Sequence, residues 1–377
     1  MLALYLGSVV LVGFQFGGRT VANNLKIFRW SFFHLLGQQD LYAPYPDHYY
    51  DIFKYSPSWA MLFAPFALPP MAIGFFLWDL GAALLLYHAV QRLLPEREAR
   101  LALAIAYLEF AAAMQHASNT NSVTVALIIM AFVALEQGRH VEAGIAVATG
   151  ALMKVYPLAA LTFGLFHGRK GRLAGAFAAA LAALVALPLL VTSPAELLAQ
   201  WRSWGRVLQR DALEQGYSVM HLVDSWTGVV WPNWPQQLAG AALLLLPLAL
   251  RRHQWGDPHF RRLLLCSVLL YVLIFNHEAE PPSFVVGFTG IAIWYAMSRH
   301  TAVRNALMGF AFVGVPLLHS ELVPWSIRQH ALAPEVMIYP CVVLWLVLQV
   351  ELFVWRGGPP LPPSPPPRPP ASPPGGG

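Results

Sequence analysis

Apolar runs recur along this chain at 2–18, 70–91, 101–115, 121–136, 141–166, 173–192, 236–250, 263–275, 284–298, 305–318 and 333–354, most of them separated by short loops. A helix needs about 20 apolar residues to cross the hydrocarbon core, and fewer where the bilayer thins or a helix crosses only part of it. The pattern predicts an all-α, polytopic transmembrane bundle of about 10–12 membrane helices. Composition supports lipid as the main solvent. Of the 377 residues 57% are apolar and 11% charged, where soluble chains carry about 25% charge. Cys266 and Cys341 both fall inside apolar runs, so neither a disulfide framework nor a Cys-type zinc site is expected. The chain enters its first apolar stretch with no basic segment before it and no small-residue cleavage site after it. Leu2–Phe16 reads as a retained span.

The net charge of +5 would suit a nucleic-acid binder if it formed a patch. Instead the basic residues sit in short loops. With the N-terminus in the cytoplasm and alternating spans, 15 of the 24 Lys and Arg fall on the cytoplasmic side, and most of the acids fall opposite. The positive-inside rule then places both termini in the cytoplasm of a cell (inner or plasma) membrane protein, with no nucleic-acid partner. One run resists simple alternation. Val141–Phe166 has Arg139 before it and the basic 167–172 stretch after it, and both flanks belong in the cytoplasm. Lys154 and Pro157 stand in its middle, where proline breaks the helical ladder. Two short helices meeting near Lys154–Tyr156 are expected, and broken helices at membrane depth line cavities.

The loops 17–55 and 193–235 fall on the non-cytoplasmic side, and each holds a surface helix. In the first, Leu25, Phe28, Phe32, Leu35 and Leu36 recur at helical spacing. In the second, Leu197, Leu198, Trp201, Trp204 and Leu208 form one face, and Arg202, Arg206 and Arg210 a basic stripe. Residues 1–356 make the transmembrane domain, and 357–377 a Pro-rich cytoplasmic tail that cannot build a core.

The stretch DLYAPYPDHYYDIFKYSPSWAMLFAPFALPP, preceded by NNLKIFRWSFFHLL, resembles the first outer loop of glycosyltransferase family 87. SNTNSVTVALIIMAFVALEQGRHVEAGIAVATGALMKVYPL is similar to that family's polar turn, small-residue helix and lysine–proline element. FNHEAEPPSFVVGFTGIAIWY is similar to a late loop and span. The resemblance implies a GT-C-like fold and transfer of a hexose or pentose from a polyprenyl-phosphate sugar to a glycan or glycolipid acceptor. It also implies an acidic base soon after the first span. Here that position falls at Asn23–Asn24. An amide takes no proton, so either another carboxylate does the work, or the chain is a silent homologue or a carrier of lipid-linked substrates.

Asp51 in DIFKYSP stands just before the chain returns to the membrane, in a Tyr- and Phe-rich stretch that lowers solvent access. It is the first candidate for the base, with Glu280 second. A solvated loop with an Asp51–Lys54 ion pair is the plainer alternative. Lys154 would neutralise the departing phosphate, or else extend to the membrane surface. Asn24, Lys26, Asp40, Tyr42, Lys54, Tyr55, Asn121, Tyr156 and His277 complete the expected substrate contacts, although Asp40 suits a loop cap and Asn121 a polar turn. Glu278 reads as an exposed loop end, and Asp79 and Glu109 as polar groups within spans. No DxD-type or His-rich motif appears on the outer side, so no metal and no cofactor are expected.

Overall fold

The computed structural model describes residues 1–15, 23–115, 120–331 and 334–355; Asn119 and the Pro-rich tail (357–377) lie outside the described residues. All regular structure among them is helical, and the helices follow the apolar runs. Met71–Leu93, Lys170–Leu190 and Pro334–Val354 are long and apolar enough to cross a membrane; Leu2–Gln15, Asn121–Glu136, His140–Met153 and Ala302–Leu317 are shorter apolar helices.

Burial decides which helix sits where. Phe284–Ala296 is apolar on every side and all but one of its residues are buried. A helix hydrophobic all round belongs in the middle of a bundle. It packs between Pro258–Ile274 and Glu96–Met114, where Gly290 lets it approach within 3.1 Å of the Cys266 carbonyl, measured from an added Cβ. Lys170–Ala186 is the opposite case. It is also largely apolar, yet it buries only Leu173 and lies at the periphery against His140–Met153. Small residues allow that contact: a Cβ on Gly144 would come 2.7 Å from the Phe177 backbone nitrogen.

The 141–166 run is broken, as its proline requires. His140–Met153 ends at Lys154, whose backbone is extended (φ −147°, ψ 138°), and a 3-10 helix runs from Tyr156 to Phe166 with Pro157 in its first turn. The two pieces pack on each other. Gly150 gives them room, since its Cβ would lie 2.9 Å from Pro157 Cβ.

Both segments expected to hold surface helices are helical, at Asn23–Leu36 and Pro194–Asp211. Ser193 caps the second by accepting from the Glu196 amide at 3.2 Å. The long loop 37–56 joins them to the bundle. Gln200 bridges it twice, accepting from Leu41 N at 3.0 Å and donating to Gln39 O at 2.9 Å. Trp204 Nε1 donates to Lys54 O at 3.0 Å. Ser56 caps the short Pro57–Leu62 helix and donates to Leu152 O at 2.5 Å. The loop is thereby fastened beside the break at Lys154.

Candidate functional site

A cavity of about 1030 Å³ opens at the end of the bundle that carries these loops. The Asn23–Leu36 helix gives it Asn23 and Asn24, and the first loop gives Tyr50 and Asp51. The Glu96–Met114 helix gives Leu108, Ala111 and Ala112. The late segments add Glu280, His319, Ser320, Glu321, Trp325 and Arg328. Asn23 pins helix to loop by accepting from Tyr50 N at 3.3 Å. Asp51 is exposed, and its carboxylate accepts from the Ile52 amide at 2.8 Å. The aromatic shielding expected for it is therefore absent: Tyr50 is 74% exposed and Phe53 is turned into the core. The Asp51–Lys54 pair does not form either, because Lys54 points away to other carboxylates. Glu280 is exposed at the start of a turn, with its amide donating to Ser283 Oγ at 3.2 Å. Arg328 lies over the Trp325 ring at 5.3 Å.

Lys154 is half-buried and does not line this cavity. Its ammonium donates to Asn121 Oδ1 at 2.8 Å and stands 5.7 Å from the Tyr156 ring centroid. Asn121 is the buried first residue of its helix, so it is more than a polar turn residue. Tyr55 shares a 3.2 Å hydrogen bond with Thr120, and its carbonyl accepts from Tyr42 OH at 2.8 Å. Burial pushes the Tyr55 hydroxyl up, Lys154 opposes this, and Glu280 adds to it. Glu280 thus stands in electrostatic reach of both the cavity and the Lys154 group.

A third cluster joins three segments. Lys54 Nζ lies 3.3 Å from Asp211 Oδ2 and 3.7 Å from Glu278 Oε1. Burial pulls Lys54 down, but Glu278 and Asp211 outweigh it and hold the ammonium above its ordinary range. Burial pushes Glu278 up to about 7, and Asp211 adds to this while Lys54 opposes it. Burial would raise Asp211 too, but its hydrogen bond with Glu278 and the charge of Lys54 hold it low. Glu278 is thus half-buried and engaged, unlike the exposed loop end that its sequence suggests.

Of the residues expected at the site, Asn24, Asp51 and Glu280 line the cavity, and Tyr55, Asn121, Lys154 and Tyr156 form a second group outside its lining. The others stand elsewhere. Asp40 caps its own loop by accepting from Tyr42 N at 3.1 Å. Tyr42 is buried within that loop and supports Tyr55 through its carbonyl, and His277 meets Gln237 at 3.1 Å. Lys26 is half-buried on its helix and does not bound the cavity. Sequence reasoning missed His319, Ser320, Glu321 and Arg328. Glu109, read only as a polar group within a span, pairs with His319 at 3.0 Å. The signal was there in part: a buried carboxylate needs a partner, and a histidine at the end of an apolar run is a natural one. Among the described residues no group of His, Cys, Asp and Glu is arranged to hold a metal ion.

An all-helical chain this apolar, with several helices suited to a bilayer, is a membrane protein. It belongs to glycosyltransferase family 87, whose family model matches residues 53–320. Membership indicates a glycosyltransferase, with a sugar donor and an acceptor. The match takes in Lys54, Lys154, Glu278 and Glu280; Asn24 and Asp51 precede it. No curated protein matches the chain.

Proposed function

We propose that the chain moves a sugar from a polyprenyl-phosphate donor to a glycan or glycolipid acceptor, in a GT-C-like bundle whose cavity faces away from the cytoplasm. The observation that carries this reading is the meeting of Asn24, Asp51 and Glu280, from segments far apart in the chain, on one cavity large enough for a sugar and an acceptor. In the reaction an acceptor hydroxyl attacks the anomeric carbon as the bond to phosphate breaks, with oxocarbenium character between. The acceptor proton passes to a carboxylate, and the electron pair of the broken bond leaves with the phosphate. Asp51 is the first candidate for that base, because its exposed carboxylate can meet an acceptor from solution; Glu280 is the second. Developing charge on the phosphate calls for cations. Arg328 supplies one on the cavity wall, and Lys154 contributes from outside its lining. A phosphate leaves without an acid to protonate it. The lipid part of the donor would run down the bundle into the bilayer.

Purified protein in nanodiscs, given a short-chain polyprenyl-phosphate sugar and a glycan acceptor, should release polyprenyl phosphate in step with glycoside formation. No release across a panel of hexosyl and pentosyl donors would overturn the transferase reading. It would favour a silent homologue, which the amide at Asn24 already suggests. The proposed orientation has its own check. Cysteines at Gln38 and Gln215 should label from outside intact cells, while one at Gly171 should stay shielded. Labelling of Gly171 from outside would reverse the topology.

A further inference from the structure

Lys54, Asp211 and Glu278 belong to three separate segments: the first loop, the end of the second surface helix and the late loop. Lys54 stands three residues after Asp51, and Glu278 two residues before Glu280. A contact between them therefore sets the spacing between the two loops that carry the cavity carboxylates. A second fastening runs alongside. Tyr217 N donates to Ala279 O at 2.8 Å, and Gly216 packs so closely that an added Cβ would lie 2.6 Å from the same carbonyl.

Lys54 stands between the two acids, while Arg210, itself exposed, pairs only with the outer oxygen of Asp211. Asp211 Oδ2 and Glu278 Oε1 are shielded from solvent, and the two side chains stand close enough to share a hydrogen bond. Lys54 lies 3.3 Å from Asp211 Oδ2 and 3.7 Å from Glu278 Oε1, and Arg210 Nε donates to the other Asp211 oxygen at 3.1 Å. Two facing carboxylates in this position repel unless one carries a proton. We propose that Glu278, Asp211 and Lys54 form a protonated clamp that positions Asp51 and Glu280 on the cavity and loosens when Glu278 gives up its proton. The carboxylic acid of Glu278 then donates to Asp211, whose remaining negative charge is shared by Lys54 on the inner side and Arg210 on the outer side. The role of Asp51 and Glu280 rests on the transferase reading; the clamp itself does not.

The charges facing Glu278 fix the sign. Lys54, with Asp51 near it, comes from the first loop, Asp211 and Arg210 from the surface helix, and Lys154 and Tyr156 from the broken segment; His277 adjoins it on its own loop. Burial and Asp211 outweigh the lysines, and the acid is raised from 4.5 to about 7. A raised folded-state value stabilises below the unfolded value, and that stability is lost as pH rises through about 7. The clamp is thus closed in mild acid and strained in mild base.

Thermal unfolding of the full chain in detergent, followed from pH 6 to pH 8, tests this without any sugar chemistry. The midpoint of the wild type should fall across that range. In Glu278→Gln an amide replaces the acid as donor and cannot ionise, so the fall should be largely removed. Asp211→Asn supplies a donor from the other side and should flatten the curve too, which keeps the test open if one variant fails to fold. Parallel curves in the wild type and in whichever variant folds would overturn the clamp. Where turnover is measurable, kcat of the wild type should decline above pH 7 while Glu278→Gln holds its value, with KM for donor little changed. Identical pH profiles would remove the positioning role. Absence of turnover at every pH would count against the transferase reading alone, because the unfolding curves still decide the clamp.

Discussion

The two surface helices look alike in sequence and do different work. Asn23–Leu36 buries residues on much of its circumference, including Asn23, Ser31 and His34, and its first turn forms a wall of the cavity. Pro194–Asp211 buries a single stripe, Leu197, Gln200, Ser203, Val207 and Asp211, and leaves Arg202 and Arg206 exposed. The first is wedged among loop and bundle. The second lies over the first loop and fastens it through Gln200, Trp204 and Asp211. Apolar spacing identifies a surface helix; the polar residues at its end decide whether it shapes a site or supports one.

The largest effects should come from the cavity side. General-base loss typically costs 10²- to 10⁴-fold. Asp51→Asn should show a deficit on that scale in kcat, with donor binding retained in a radiolabelled-donor assay. A loss under about threefold would pass the role to Glu280, where Glu280→Gln makes the same demand. Asn24→Asp sharpens the point. Raised turnover in that variant would show that the first helix still aims the family's acidic position at the reacting hydroxyl.

Lys154→Met comes next. The substitution removes the cation beside Asn121 and leaves that amide to face an apolar chain. On the order of a tenfold loss of kcat is expected for each 1.4 kcal/mol of charge stabilisation withdrawn. Near-normal turnover would make Lys154 a structural partner of Asn121 and nothing more.

The bundle was legible because each apolar run had to become a helix, and the break at Lys154 was legible because Pro157 cannot continue one. The site was legible only where chemistry and chain position coincided, as at Asp51 and Glu280. Lys54 shows why the rest was hidden. Its nearest acid in sequence is Asp51, yet the fold brings it Asp211 and Glu278 from more than 150 residues away. Arg328 and His319 were hidden for the same reason: nothing near them in sequence hints that they share a cavity with Asn24 and Asp51, more than 260 residues earlier in the chain.

Gly216→Ala tests the supporting side where backbone geometry is strictest. Gly216 has φ +37°, and a side chain there would meet Ala279 O at 2.6 Å and His277 O at 2.8 Å. Strain of this kind costs about 1–3 kcal/mol, and it would part the turn after the second helix from the late loop. A lowered thermal midpoint, together with faster proteolysis near residue 279, is the expected result. An unchanged midpoint would mean that the loop moves freely away, and that the fastening contributes little.

The smallest effect should come from Trp204→Phe, which leaves an aromatic ring on the second helix and deletes one donor. Trp204 Nε1 donates to Lys54 O at 3.0 Å, and its ring packs at 5.3 Å on Trp201. A neutral hydrogen bond of this type contributes about 1 kcal/mol net, and the phenyl ring retains most of the apolar contact. The Lys54 carbonyl can recruit water at this half-buried position, which limits the penalty further. A modest fall in stability is therefore expected, with kcat reduced only as far as Lys54 drifts from Asp211 and Glu278. The instructive measurement is a double-mutant cycle with Glu278→Gln. If the second helix works only as a fastening, the two losses should couple, since both act through the position of Lys54. Strict additivity would show that Trp204 holds the loop independently of the clamp, and would separate the two supports that the comparison of the helices joins.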